Sequence, residues 1–270
     1  MTPPETVAYF AVLGGLGLII GSFLNVVIYR VPLGLSIVRP GSACPSCSTA
    51  ILTRDNIPVV SWLLLRGRCR SCGAAIPARY PLVELLTAAV WLGLGWWALE
   101  PEGGAMVDPL LPLLLVLGSA GVALTMIDLD HHRLPDAIVL PLYPITVLGL
   151  ALAGVVTGEW PLVPALGGAA AWLVVIGGIW LATSGRGMGF GDVKLAPVLG
   201  ATLGWVSFGG SVVGLFTAFV LGAVVGVALM VAGRAGRRSH LPFGPFLLAG
   251  AAVGLLAGAP IAAAYASGVT

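Results

Sequence analysis

The chain has 270 residues, 58% hydrophobic and only 9% charged, with a formal net charge of +2 and a mean hydropathy of +1.03. Soluble globular proteins carry about 25% charged residues. The composition therefore excludes a water-soluble enzyme and describes an all-α polytopic membrane protein, with the lipid bilayer as its surroundings and no nucleic acid as a partner.

A helix needs about 20 apolar residues to cross a hydrocarbon core. Uncharged runs place spans near 6–28, 82–99, 109–127, 137–157, 162–183, 194–208, 211–233 and 243–266. About eight transmembrane helices are expected, and the second and sixth are short enough for a tilted, shallow or re-entrant path. Residues 195–233 carry no charge and are too long for one span, so Gly209–Gly210 is the expected break. The first span has no basic residue before it and Arg30 after it, which predicts a retained helix rather than a cleaved signal.

Lysine and arginine mark the cytosolic side of a membrane protein. With the amino terminus outside, the inner loops are 29–81, 128–136, 184–193 and 234–242. Arg30, Arg39, Arg54, Arg66, Arg68, Arg70 and Arg79 fall in the first, and Arg133 in the second. Arg186 lies in the third with Lys194 at its edge, and Arg234, Arg237 and Arg238 lie in the fourth. The charged residues of the outer loops are all acidic: Glu5, Glu100, Glu102, Asp108 and Glu159. Three parts follow: a first helix at 1–28, a cytosolic insert at 29–81, and a helical bundle at 82–270. Glycines four residues apart recur at Gly17 and Gly21, Gly210 and Gly214, Gly222 and Gly226, and Gly250, Gly254 and Gly258, a spacing that lets helix backbones approach closely.

The insert holds every cysteine, as Cys44-Pro-Ser-Cys47 and Cys69-Arg-Ser-Cys72. Two such knuckles can place four thiolates around zinc. Two disulfides fit a reducing cytosol badly, and a redox-active Cys-x-x-Cys needs no second pair. The expected fold is a small zinc-ribbon-like domain with structural zinc. Its large apolar side chains gather in one run, Ile57 to Leu65, so small a core that a metal is needed to fold it.

"IDLDHHRLPD" at 127–136 follows the third span, and "GFGDVKL" at 189–195 opens the sixth. Ionisable residues at membrane depth mark function by default, and Asp128 and Asp192 abut apolar helix most closely. Two facing carboxylates that share a proton can activate water and polarise a carbonyl. The glycines at 187, 189 and 191 leave room around Asp192. Other readings stay open at this point: Asp136 as a helix cap after Pro135, an Asp130–Arg133 surface pair, or a metal held by Asp130, His131 and His132. The chain lacks His-Glu-x-x-His, Gly-x-Ser-x-Gly and Walker A patterns. A proton- or cation-coupled transporter with a zinc-binding docking domain is the alternative from another class, although no inverted repeat is evident.

Taken together, these motifs resemble the type IV prepilin peptidases, or leader peptidase/N-methyltransferases. "GSFLNVVIYRVP" at 21–32, the two cysteine knuckles, "RYPLVELLTA" at 79–88, the two aspartate motifs and "LPFGPFLLAG" at 241–250 carry the resemblance over nearly the whole chain. It implies Asp128 and Asp192 as the catalytic pair of a Gly-x-Gly-Asp membrane aspartyl protease. Asp128 is preferred over Asp130 by its distance from Leu134. The resemblance also implies a bacterial inner-membrane location and an active site at the cytosolic face. Prepilins or pseudopilins would be the substrates of cleavage after a basic leader, followed by N-methylation from S-adenosylmethionine. No glycine fingerprint locates that methyl donor. Glu84, Asp130 and Asp136 could attract a basic leader.

Overall fold

The computed structural model describes residues 2–99, 107–234, 236 and 241–269. The expectations for Glu100, Glu102, Arg237 and Arg238 lie outside the described residues. Among these the regular elements are helical and no strand is present: α1 (Pro3–Arg30), α2 (Val60–Leu64), α3 (Arg79–Trp97), α4 (Leu111–His131), α5 (Asp136–Thr157), α6 (Leu162–Ala182), α7 (Phe190–Val206), α8 (Phe208–Val231) and α9 (Gly244–Val269). Lipid offers backbone groups no partner, so apolar runs close their hydrogen bonds within themselves as helices. Six of them (α1, α4, α5, α6, α8 and α9) are long and apolar enough to cross a membrane. The other two long helices, α3 and α7, are the pair that the sequence marks as short. The chain divides into two compact units, Met1–Ala123 and Leu124–Thr270.

In the first unit α1 lies along α3 because glycine removes the side chains between them. A Cβ on Gly17 would sit 2.7 Å from the Ala88 Cα, and one on Gly21 would sit 2.6 Å from the Glu84 Cα. The Trp91 indole donates to the Ser119 hydroxyl at 2.9 Å and ties α3 to α4. Arg30, at the end of α1, donates to the carbonyls of Ser36 and Gly41 and so fastens the start of the insert.

In the second unit α6 and α7 meet backbone to backbone. A Cβ on Gly168 would strike the Gly200 carbonyl oxygen, and one on Gly200 would strike the Gly168 carbonyl. Trp172, fully buried, donates to the Ser211 carbonyl at 3.0 Å and joins α8 to this pair. α8 and α9 repeat the device. A Cβ on Gly210 would lie 2.9 Å from the Gly254 carbonyl oxygen, and one on Gly214 3.0 Å from that of Gly250. Gly222 and Gly226 differ, since they face the side chains of Phe243, Phe246 and Leu241.

The helix break expected at Gly209–Gly210 falls earlier, at Ser207. That residue is extended (φ −163°, ψ 125°), and its hydroxyl accepts the Gly210 N–H as the cap of α8. Gly209 and Gly210 are helical, and Gly210 is used for packing on α9. Replacing Gly168 by valine should destabilise this unit by at least the roughly 1–3 kcal/mol typical of overpacking, read as a lower unfolding temperature in detergent, with Gly178→Val as the control because a Cβ there meets nothing within 4 Å.

Candidate active site and metal centre

Asp192 is the third residue of α7. Its Oδ2 accepts the Gly189 N–H at 3.2 Å, while its own N–H donates to the Gly189 carbonyl. This reciprocal bond fixes the carboxylate over the positive end of the helix. Asp128 lies in the last turn of α4, and its Oδ2 accepts the Gly244 N–H at 3.0 Å, the first amide of α9. Asp128 and Asp192 are 4% and 5% exposed, so both carboxylates are withdrawn from bulk solvent. Asp192 Oδ1 is buried and makes no hydrogen bond among the described residues, leaving one oxygen of the pair uncommitted.

Leu134 holds the two motifs together. A Cβ on Gly191 would lie 2.8 Å from the Leu134 Cβ, and one on Gly244 would lie 3.1 Å from Leu134 Cδ2 and 2.9 Å from Asp128 Oδ2. The glycine beside Asp192 and the glycine bonded to Asp128 thus pack on one leucine side chain.

The surrounding polar groups have other work. Asp136 makes no helix cap; it is the first residue of α5, and both its oxygens accept from Lys194 Nζ, at 2.7 and 2.8 Å. Lys194 also lies 4.9 Å from the centre of the Phe190 ring, and its carbonyl accepts the Tyr143 hydroxyl at 2.6 Å. Lys194 therefore clamps the start of α5 to α7. Asp130, His131 and His132 are exposed at the end of α4. Sequence reasoning gave no role to Gly244 or Leu134. The one signal available was Gly-Pro at the head of an apolar run, which leaves a helix N-terminus with no side chain to obstruct an incoming acid.

The four cysteines are free thiols whose sulfurs all lie within 4.8 Å of one another, with Cys44 and Cys72 Sγ 3.9 Å apart. Zinc–sulfur bonds of about 2.3 Å set tetrahedral sulfurs roughly 3.8 Å apart, so the cluster fits that ion. Among the described residues it is the one group of three or more His, Cys, Asp or Glu so placed. Each knuckle is closed the same way. The Cys44 N–H donates to the Thr49 carbonyl and the Cys69 N–H to the Ala74 carbonyl, with isolated bridges pairing Ala43 with Ala50 and Arg68 with Ala75.

Hydrogen bonding to the Thr49 hydroxyl and amide pulls Cys47 down to about 6. The Ala74 amide pulls on Cys72 too, yet the neighbouring Cys47, Cys69 and Cys44 sulfurs push it up to about 11. Four thiolates this close would repel one another, and a cation among them would relieve that repulsion. The insert departs from a ribbon, because two bridges form no strands. The run from Ile57 to Leu65 also forms no core: Leu63 and Leu64 are 61% and 78% exposed. An amphipathic run of five helical residues has too little surface to bury them.

Residues 16–98 match the bacterial peptidase A24 N-terminal domain, and residues 115–227 match the type IV leader peptidase family. The chain is 38% identical to the prepilin leader peptidase/N-methyltransferase of Aeromonas salmonicida, covering 96% of this chain and 94% of that one. It is 37% identical to the protein of the same name from Pseudomonas aeruginosa, over 93% and 91%. The chain belongs to the type IV leader peptidase family. A Myxococcus xanthus relative is 43% identical over 83% of this chain and 64% of its own length. No solved structure matches the chain. The comparisons lend the transporter reading no support.

Proposed function

We propose that this protein is a prepilin leader peptidase/N-methyltransferase of the bacterial inner membrane, in which Asp128 and Asp192 cleave the leader. The observation that carries this reading is the packing of both aspartate motifs on Leu134, with each carboxylate braced by a helix N-terminal amide. One aspartate, ionised, takes a proton from a water molecule. The other, protonated, donates to the scissile carbonyl as the water oxygen attacks. The first carboxyl then protonates the amide nitrogen while the second carboxylate takes a proton back from the gem-diol; the C–N bond breaks, the leader leaves as a carboxylic acid, and the pair is restored. Burial of both acids keeps this shared proton from exchanging freely with solvent.

Eight spans with the amino terminus outside would set the aspartates at the cytosolic interface, where a basic leader stays and the apolar helix of a prepilin or pseudopilin begins. The first helix at 1–28, the insert at 29–81 and the bundle at 82–270 are then the working parts. Cys44, Cys47, Cys69 and Cys72 would hold zinc, which with four protein ligands has no open position and serves structure. S-adenosylmethionine would supply the methyl group. Leader attraction falls to other groups than Asp136, since Lys194 engages both of its oxygens.

Purified protein incubated with a prepilin should yield a product whose new amino terminus begins after the leader and, with the methyl donor added, is 14 Da heavier per methyl. A prepilin left intact under conditions where the protein is folded overturns the assignment. The Lys194 clamp gives a second test. Its charges are a quarter and half exposed, so removing the pair should change stability by no more than about 1 kcal/mol. Lys194→Met should nevertheless lower kcat for cleavage with KM little changed, because it frees α7 from α5, and Lys194→Arg should restore most of it.

A further inference from the structure

The first unit contains a cavity of ≈ 580 Å³, walled by α1, α3 and the insert. Its size lies within the roughly 300–1,000 Å³ of small-molecule sites. Glu84, 7% exposed, lies on its wall. Gly21 allows the backbone of α1 to press against that of Glu84, which leaves the carboxylate at the seam between helices. One carboxylate oxygen accepts the Val59 N–H at 2.7 Å, and Ser22 also lines the cavity. Val59, a β-branched residue, is held at φ 59°, a conformation that such residues avoid. Strain of this kind is retained where a wall must keep its shape.

The other charged groups of the cavity are already satisfied. Asp55 pairs with Arg70 at 2.7 Å, and Arg30 is bonded to two carbonyls. Glu84 is thus the carboxylate of this cavity that, among the described residues, accepts from a main-chain amide while Asp55 takes the cationic side chain. Tyr29, Trp62 and Tyr80 line the same cavity, with the Trp62 indole pinned to the Ile76 carbonyl at 3.0 Å. A buried negative group beside aromatic faces suits a ligand that combines a positive charge with a flat ring.

We propose that this cavity is the methyl-donor site, taking an adenosyl sulfonium with its positive sulfur toward Glu84 and its purine toward Trp62 and the tyrosines. This rests on the methyltransferase reading above. In the transfer, the neutral amine of the cleaved substrate attacks the methyl carbon. The N–C bond forms as the C–S bond breaks, and the C–S pair stays on sulfur, giving a neutral thioether. One proton leaves the nitrogen for water. Glu84 favours the sulfonium over the thioether, so it holds the donor more firmly than the spent product.

The test uses the full-length, zinc-loaded protein in nanodiscs. Direct ultraviolet crosslinking of methyl-labelled S-adenosylmethionine to the native protein should label peptides within 19–30 or 55–84, and label confined to 124–269 overturns the site. In calorimetry, Glu84→Gln should weaken S-adenosylmethionine by tenfold or more while changing S-adenosylhomocysteine much less, and Trp62→Ala should weaken both. Unaltered affinities in both variants, with the native protein still methylating its product, overturn the cavity assignment alone. A native protein that neither binds the donor nor methylates overturns the methyltransferase reading with it.

Discussion

Asp192→Asn should abolish leader cleavage, with a loss of at least the roughly 10²–10⁴-fold that a positioned acid–base group contributes. Asparagine keeps the shape, and its carbonyl oxygen can still accept the Gly189 N–H that Oδ2 accepts at 3.2 Å. What disappears is the capacity to take or give a proton at Oδ1, the atom left without a partner. Asp128→Asn should cost as much, because the Gly244 N–H can still be satisfied while the shared proton cannot be exchanged. The double variant should be scarcely worse than either single one, since the acids act as a unit. Cleavage of a synthetic prepilin in detergent measures the loss, and circular dichroism with thermal melting establishes that the fold survives. Normal cleavage by either variant would remove that residue from the mechanism.

Cys44→Ser should release the metal and collapse the insert. Structural zinc sites supply apparent free energies of about 10–16 kcal/mol at neutral pH, and this insert has little else. Cys44 is buried, whereas the only buried residue of α2 is Ser61 and its leucines face outward. Elemental analysis should find one zinc per native chain and none in the variant, and limited proteolysis should cut within 29–81 only in the variant. The second unit, Leu124–Thr270, has its own packed glycine seams and should keep its helices. A native protein without metal, yet resistant in the insert, would defeat the assignment.

Much of this architecture could be read from residue order. Lipid leaves the backbone few options, so each apolar run became a helix whose ends lie within a few residues of the expected ones. The cysteine cluster was legible because two Cys-x-x-Cys pairs in one short insert can bring four sulfurs together, as they do here. Long-range contacts were not. Asp128 and Gly244 are 116 positions apart, and nothing local announces their hydrogen bond. Leu134 served in the sequence only as a reference point for Asp128, and its packing against Gly191 and Gly244 has no local signal. The break before α8 was misplaced because glycine suggests a turn, while here Gly210 serves helix contact and Ser207 does the capping. Ile57 to Leu65 was read as a core because hydrophobicity alone does not say which way a short helix turns.

Both carboxylates are braced by main-chain amides at helix starts rather than by neighbouring side chains. Such a foundation is indifferent to the chemistry of most residues around it and intolerant of any change in chain length. A library that randomises flanking side chains should therefore yield many active survivors, whereas inserting a single residue between Gly189 and Asp192 should leave none.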